Sequence, residues 1–364
     1  MPDSRSQRLL YFRLARAILI TTVILGLLSA CQVRFPSTPT FSPQAVANHP
    51  SEVAVQEIPL SKPASLRSAE ISGMAWYQDT LVLLPQYPHR FGEKGQGALF
   101  ALDKSEITAF IQDGNPASLS PKLIVFDDGG LRDTIQGFEG FEAIAFDGDQ
   151  VYLTIEASPH NKMKGYLVSG SIQPDQLEVQ LDPGTLIEIP LEKNISNLSD
   201  EAIIIYNQKI LTFFEANGKK VNPAPVAHQF NLNLELQGDF SFPNIEYRIT
   251  DAVPSSSEGF FWAINTYFPL DENKLKPQAD LLAQRYGQGK THSENLTVER
   301  LVEFQIQGDQ ISFVDQPPLQ LVLEGDLASR NWEAIALLDN MGFLLATDKF
   351  PRTILGFVPY TITK

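Results

Sequence analysis

Apolar residues in this chain come in short runs headed by a polar residue, and the arrangement recurs five times. One copy reads Glu142-Ala-Ile-Ala-Phe146 and meets a second polar residue at Glu156; another reads Glu201-Ala-Ile-Ile-Ile205 and meets Glu215. Ser72 with Gln86, Asp251 with Asn265 and Glu333 with Asp348 complete the set. The first four pairs share one spacing, and the last pair is a single position longer. A turn in the middle of such a span predicts two antiparallel strands of about five or six residues each. The turn chemistry agrees: Asp147-Gly-Asp-Gln150, Tyr206-Asn-Gln208 and Asp339-Asn-Met-Gly342. A hairpin returns its last residue to the end where it began, so both polar residues of a copy are expected at one end.

A second hairpin follows in most copies, with turns predicted at Gln173-Pro-Asp175, Gln237-Gly-Asp239 and Gln307-Gly-Asp309. Each copy leaves room for both hairpins before the next begins, and helical periodicity is almost absent. Four strands per repeated unit predict an all-β fold, a β-propeller of five or six four-stranded blades. The last copy shows only three strands before Lys364, so the run Val53–Ile58 is expected to supply the fourth and close the ring. The stretch from Ser72 to Glu142 is long enough to leave room for a sixth blade. A β-sandwich is the alternative, but it has no reason to repeat one four-strand unit.

The first residues are of another kind. Arg5, Arg8, Arg13 and Arg16 precede an apolar run from Ala17 to Leu28, too short to span a bilayer comfortably but suited to a signal-peptide core. Leu28-Ser-Ala-Cys31 resembles the bacterial lipobox, which implies cleavage before Cys31 and its lipidation; an uncleaved anchor is the alternative. Gln32 after the cysteine looks like an outer-membrane sorting signal. The chain is therefore divided into a signal peptide (1–30), a Pro/Ser-rich tether (31–51) and a propeller domain (52–364). Cys31 is the only cysteine, which leaves the exported domain without a disulfide or a cysteine nucleophile. Loss of residues 1–30 leaves 24 basic against 42 acidic side chains, a net charge near −18 that argues against nucleic acid and against anionic headgroups. Contact with the membrane is expected through the lipid anchor only, and the domain is expected to be a monomer.

In a propeller the innermost strand starts beside the central channel. The repeat then gathers Glu142, Glu201, Asp251 and Glu333 on one rim, joined by Glu156, Glu215, Asn265 and Asp348 from the partner positions. Two carboxylates ~4 Å apart repel by about 4 kcal/mol at an effective dielectric near 20. Such a ring persists only if protons, cationic side chains or a metal compensate. All-oxygen donors suit Ca²⁺, and Mg²⁺ less well. The alternative is that some of these acids hold backbone N–H groups between blades. Loops after the second strands carry Arg90, Lys162, Lys349 and Arg352, candidates to bind a small anionic ligand or merely to balance the acids. His89 and His160 stand in the same loops as candidate proton carriers; a lone loop histidine is as often a plain surface residue. The long loop from Phe268 to about Glu299, with Gln278–Tyr286 as a short helix, is read as a lid or a surface insertion.

Ser72-Gly-Met-Ala, Glu139-Gly-Phe-Glu-Ala-Ile, Ser199-Asp-Glu-Ala, Tyr247-Arg-Ile-Thr-Asp251 and Trp332-Glu-Ala-Ile together resemble the phytase-like propeller family labelled "esterase-like activity of phytase". The resemblance implies an exported propeller with an acidic channel and phosphoesterase or esterase activity. Related propellers of the paraoxonase and gluconolactonase type hold Ca²⁺ in the channel, matched here in residue type by Glu142, Glu201, Asp251, Asn265 and Glu333. The expected function is a divalent-metal-dependent hydrolase of anionic esters or phosphoesters at the cell envelope. A noncatalytic lipoprotein that binds a ligand or protein partner is the other reading.

Overall fold

The computed structural model describes residues 51–361, except 94, 115–116, 176 and 325–328. The signal peptide, Cys31 and all but the last residue of the tether lie outside the described residues. Among the described residues no helix is long and apolar enough to cross a bilayer.

The framework is all-β. After the short strand β1 (Gln56–Ile58), groups of antiparallel strands follow one another. The first comprises β2 (Ile71–Tyr77), β3 (Thr80–Pro85), β4 (Gly97–Asp103) and β5 (Lys122–Asp127). The second comprises β6 (Phe138–Asp147), β7 (Gln150–Ala157), β8 (Lys164–Gln173) and β9 (Glu178–Leu181), with β10 (Ile187–Ile189) also on β8. The third is β11 (Asp200–Tyr206), β12 (Lys209–Phe214), β13 (Val226–Asn231) and β14 (Leu236–Ser241). The fourth is β15 (Arg248–Pro254), β16 (Phe260–Tyr267), β17 (Val298–Gln307) and β18 (Gln310–Phe313), with β19 (Leu319–Gln320) on β17. The fifth has β20 (Trp332–Leu338), β21 (Gly342–Thr347) and β22 (Leu355–Pro359); β1 pairs with β22, Gln56 opposite Phe357 and Ile58 opposite Leu355. The leading strands touch in a closed cycle: β2 on β6, β6 on β11, β11 on β15, β15 on β20, and β20 on β2.

Continuous apolar runs, rather than alternating ones, follow from burial on both strand faces. Along β11, Ala202 and Ile204 pack towards the fourth group against Phe261 and Phe304, while Ile203 packs towards the second against Ala143 and Tyr152. Similar layers separate the first and second groups, the fourth and fifth, and the fifth and first. The core is thus a set of apolar layers between strand groups, and their polar ends are left to meet at the centre.

One local expectation is corrected. The third group's second turn is not at Gln237-Gly-Asp239, which lies inside β14. Asn231 makes the turn instead, its Oδ1 accepting from the N–H of Asn233 (3.0 Å) and of Glu235 (2.9 Å), and Gly238 sits beside a register shift at φ +134°. The segment between Ser72 and Glu142 contains, besides β3 to β5, the helix α1 (Lys104–Asp113) and the short α2 (Leu131–Thr134). Ile107 and Phe110 anchor α1 with helical spacing, and Gly114 ends it in the left-handed region, its N–H on Phe110 O. The loop 268–299 carries α3 (Glu272–Leu275), α4 (Leu281–Tyr286) and α5 (Lys290–Glu294); the side chain of Asp280 caps α4, in keeping with the helix expected over Gln278–Tyr286.

Candidate functional site

Every leading strand breaks register at its repeated polar residue. The pairing skips Ser72 on β2, Glu142 with Ala143 on β6, Glu201 on β11, Thr250 with Asp251 on β15, and Glu333 on β20. A bulge of this kind takes one residue out of the in–out alternation and re-aims its side chain. Here it frees a polar side chain from the apolar layers. The result is a cavity of about 530 Å³ where the strand groups meet, lined by Ser72, Glu142, Glu201 and Glu333 with Glu156 on β7 and with Gln86 and Asp348, which directly follow β3 and β21. Gly140, at φ +153°, lies against this wall: a Cβ there would stand 2.4 Å from the Gln86 side chain and 3.0 Å from Glu142 Oε1.

Arg248 sits among the acids. Its guanidinium lies 3.0 Å from Glu333 Oε1, 3.4 Å from Glu201 Oε2 and 3.0 Å from Asn331 Oδ1, and its Nε pairs with the fully buried Glu215. Burial pulls the guanidinium down, yet Glu333 and Glu201 more than offset this and leave it raised. Among the described residues Glu142 and Glu156 pair with no such cation. Gln86 Nε2 donates to Glu142 Oε1 (3.1 Å), Ser199 Oγ donates to Glu156 Oε2 (2.9 Å), and Glu139, itself held by Ser158, hydrogen-bonds Glu156. Burial, reinforced by Glu156 and Glu201, pushes Glu142 well above the usual carboxylate range. Burial, Glu201 and Glu139 push Glu156 up to about 9. Glu201 is raised by burial and drawn back by Arg248, to about 7.

The other expected residues are placed differently. Asp251 is turned away from the cavity: its two oxygens accept the backbone N–H of Ala252 and of Ile335, both at 2.8 Å, the interstrand role that was the alternative for these acids. Asn265 donates to the carbonyls of Glu246 and Arg248 and accepts from Arg300 Nε at 2.8 Å. His89 and His160 are exposed and are not part of the cavity lining; His89 stacks edge-on to Tyr87, and His160 meets Gln136 at 3.3 Å. Arg90 and Lys349 both pair with Glu70, Arg352 pairs with Glu57 on β1, and Lys162 is exposed. Of these basic residues only Lys349 lines the cavity.

Of the oxygen donors expected to hold calcium, Glu142, Glu156, Glu201, Glu333 and Asp348 line one cavity, whereas Asp251, Asn265 and Glu215 are not in its lining. Among the described residues no three His, Cys, Asp or Glu side chains are placed to hold one ion. Asp251 and Asn265 have given their oxygens to protein groups, and a guanidinium stands among Glu201, Glu215 and Glu333. As a set they do not fit a calcium centre.

Sequence reasoning passes over Glu70, Tyr87, Glu139, Arg248, Asp271, Lys274 and Asn331, all in the lining. A signal exists for two of them. Glu139 and Arg248 each stand three positions before a repeated acid, within motifs already conspicuous. Asp271 and Lys274 reach the cavity from the 268–299 insertion, which no repeat could announce.

No family model matches the chain, and no curated protein matches it. Solved structures do. The catalytic domain of a GH62 α-L-arabinofuranosidase from Coprinopsis cinerea is 7% identical, with 85% of this chain and 97% of that one covered and a TM-score of 0.46. A β-1,2-mannobiose phosphorylase from Listeria innocua is 11% identical, covering 90% and 96%, with a TM-score of 0.42. The periplasmic gluconolactonase of Pseudomonas aeruginosa is 12% identical, covering 80% and 84%, with a TM-score of 0.41. Likeness at this level carries no argument about the chemistry of this chain.

Proposed function

We propose that the five strand groups are the blades of a five-bladed propeller closed by β1, and that its central cavity is the active site of a hydrolase. The observation that carries this reading is an acid and a base facing one cavity. Glu156, held up at about 9, keeps its proton at neutral pH, whereas Glu201, at about 7, is close to half ionised. Glu156 gives its proton to the leaving-group oxygen as the ester bond breaks. Glu201 takes one from the water that attacks, and Arg248 keeps Glu201 in reach of ionisation. The cavity volume lies in the range of small-molecule sites.

The substrate class follows from the walls. Arg248, Lys274 and Lys349 are the bases lining the cavity, against eight carboxyl groups. A neutral, oxygen-rich ester or lactone suits that balance better than the anionic esters and phosphoesters expected from the loops. Export and lipid anchoring at Cys31, together with the phytase-like family likeness, belong to this same proposal.

A second reading rests on one feature. Among the described residues neither Glu142 nor Glu156 has an ion-pair partner, so a divalent cation at these two with Gln86 would relieve their repulsion and polarise a bound carbonyl. The test is a panel of aryl esters, lactones, phosphate monoesters and phytate, run with calcium and with chelator. Turnover that survives chelator and falls about 100- to 10,000-fold in Glu156→Gln supports acid–base hydrolysis. Turnover abolished by chelator selects the metal reading, and no turnover at all selects a noncatalytic binding protein.

A further inference from the structure

We propose that the 268–299 insertion is a lipid-contacting surface that seats the cavity mouth on a zwitterionic bilayer. The three most exposed large apolar residues among those described, Leu270 (81%), Leu296 (77%) and Leu281 (62%), all belong to this one insertion. Single exposed leucines need no explanation; three concentrated in one insertion do. The charge of the segment differs from that of the protein. Residues 268–299 carry five acids and four bases, a net −1, in a chain whose net charge is −15. An anionic surface would repel the molecule, so a zwitterionic one is the partner that fits.

The place where the described chain begins supplies the second argument. Glu52 is clasped by α5: its carboxylate accepts the N–H of Thr291 (2.9 Å) and of His292 (3.0 Å), the Thr291 hydroxyl (2.8 Å), and lies 2.7 Å from His292 Nδ1. Whatever links Glu52 to a lipidated Cys31 therefore starts at this insertion, and residues 32–51 can reach no further than ~70 Å. The same insertion sends Asp271 and Lys274, neighbours of Leu270, into the cavity wall. Anchor origin, exposed leucines and two cavity-lining residues thus share one segment. The proposal rests on the lipid-anchor reading of Cys31 and not on the hydrolase reading.

The full-length protein, lipidated by its export pathway, is reconstituted on phosphatidylcholine vesicles beside a variant carrying Leu270→Ser, Leu281→Ser and Leu296→Ser. Hydrogen exchange of peptides within 268–299 is expected to be about tenfold slower in the wild type than in the variant. Both should float with the vesicles, melt alike and exchange equally over β5, where Leu123 and Val125 are also exposed. Equal exchange of 268–299 in the two floating proteins overturns the proposal while the anchor stands. Failure of both to float removes the anchor and the proposal together. Protection that appears without vesicles and grows with protein concentration assigns the surface to a second copy and overturns it as well.

Discussion

Arg248 decides how the buried acids can coexist. One guanidinium serves Glu201, Glu215 and Glu333, with Asn331 completing its contacts. Removing one partner of a buried ion cluster is far costlier than never having built it, because the remaining charges stay buried. Arg248→Met should therefore lower unfolding free energy by about 3–5 kcal/mol in denaturant melts; a loss below about 1 kcal/mol would mean the acids are already neutral without it. Two acids of the same repeat should behave oppositely. Asp251→Ala strands the N–H groups of Ala252 and Ile335 and should cost about 2–4 kcal/mol. Glu142→Gln should cost much less, since burial holds that carboxyl well above the usual carboxylate range and Gln86 can still donate to the amide oxygen. Sequence spacing gives both residues the same role. What separates them is which N–H groups the bulge brings within reach, and that is a matter of tertiary register that spacing does not contain.

At the scale of elements, the repeated hairpins are legible because burial on both faces imposes continuous apolar runs and turns need particular residues. Tyr206-Asn-Gln-Lys209 is one example, with Asn207 and Gln208 both at positive φ. The bulges are not legible, since a skipped residue leaves the same letters in the same order. Nor is α1, whose Ile107–Phe110–Ile111 pattern is short beside the strand signal around it. The strand β1 rests on an expectation that came from counting strands, and it can be tested directly. Ile58 is buried at 1% exposure and Val55 at 9%, and the backbone of residues 56–58 covers the edge of β22. A chain starting at Pro59 loses both side chains from the core, about 1.5–3 kcal/mol each, and exposes a strand edge. Compared with a chain starting at Ser51, it should unfold at least about 3 kcal/mol more easily and aggregate on standing. Equal denaturation midpoints would show that β1 closes nothing of consequence.

The whole molecule should respond to pH in a direction set by its interior. Glu142, Glu156, Glu201 and Glu333 in the cavity, and Asp200 and Glu192 beside His228, are all raised, burial being the largest cause for each. A carboxyl raised on folding binds its proton more tightly in the native state than in the unfolded chain. Its stabilising share is complete below the unfolded value near 4–4.5 and is lost as pH climbs to the folded value. That window closes at about 6 for Asp200, about 7 for Glu192 and Glu201, and about 9 for Glu156. His228, lowered by burial but raised overall by Asp200 and Asp239, adds loss in the same direction above its unfolded value near 6.5. Urea midpoints should therefore fall steadily from pH 5 to pH 9, unlike those of proteins stabilised by depressed carboxyls. Glu156→Gln should make the profile shallower across the whole span from about pH 4.5 to about pH 9, because over that window the folded Glu156 holds a proton that the unfolded chain has lost. Saturating calcium offers a discriminating arm: an ion that binds ionised Glu142 and Glu156 would raise the alkaline midpoints and reverse the slope. A wild-type profile that peaks at pH 8 or above without added metal would contradict the protonated interior on which the proposed acid–base pair depends.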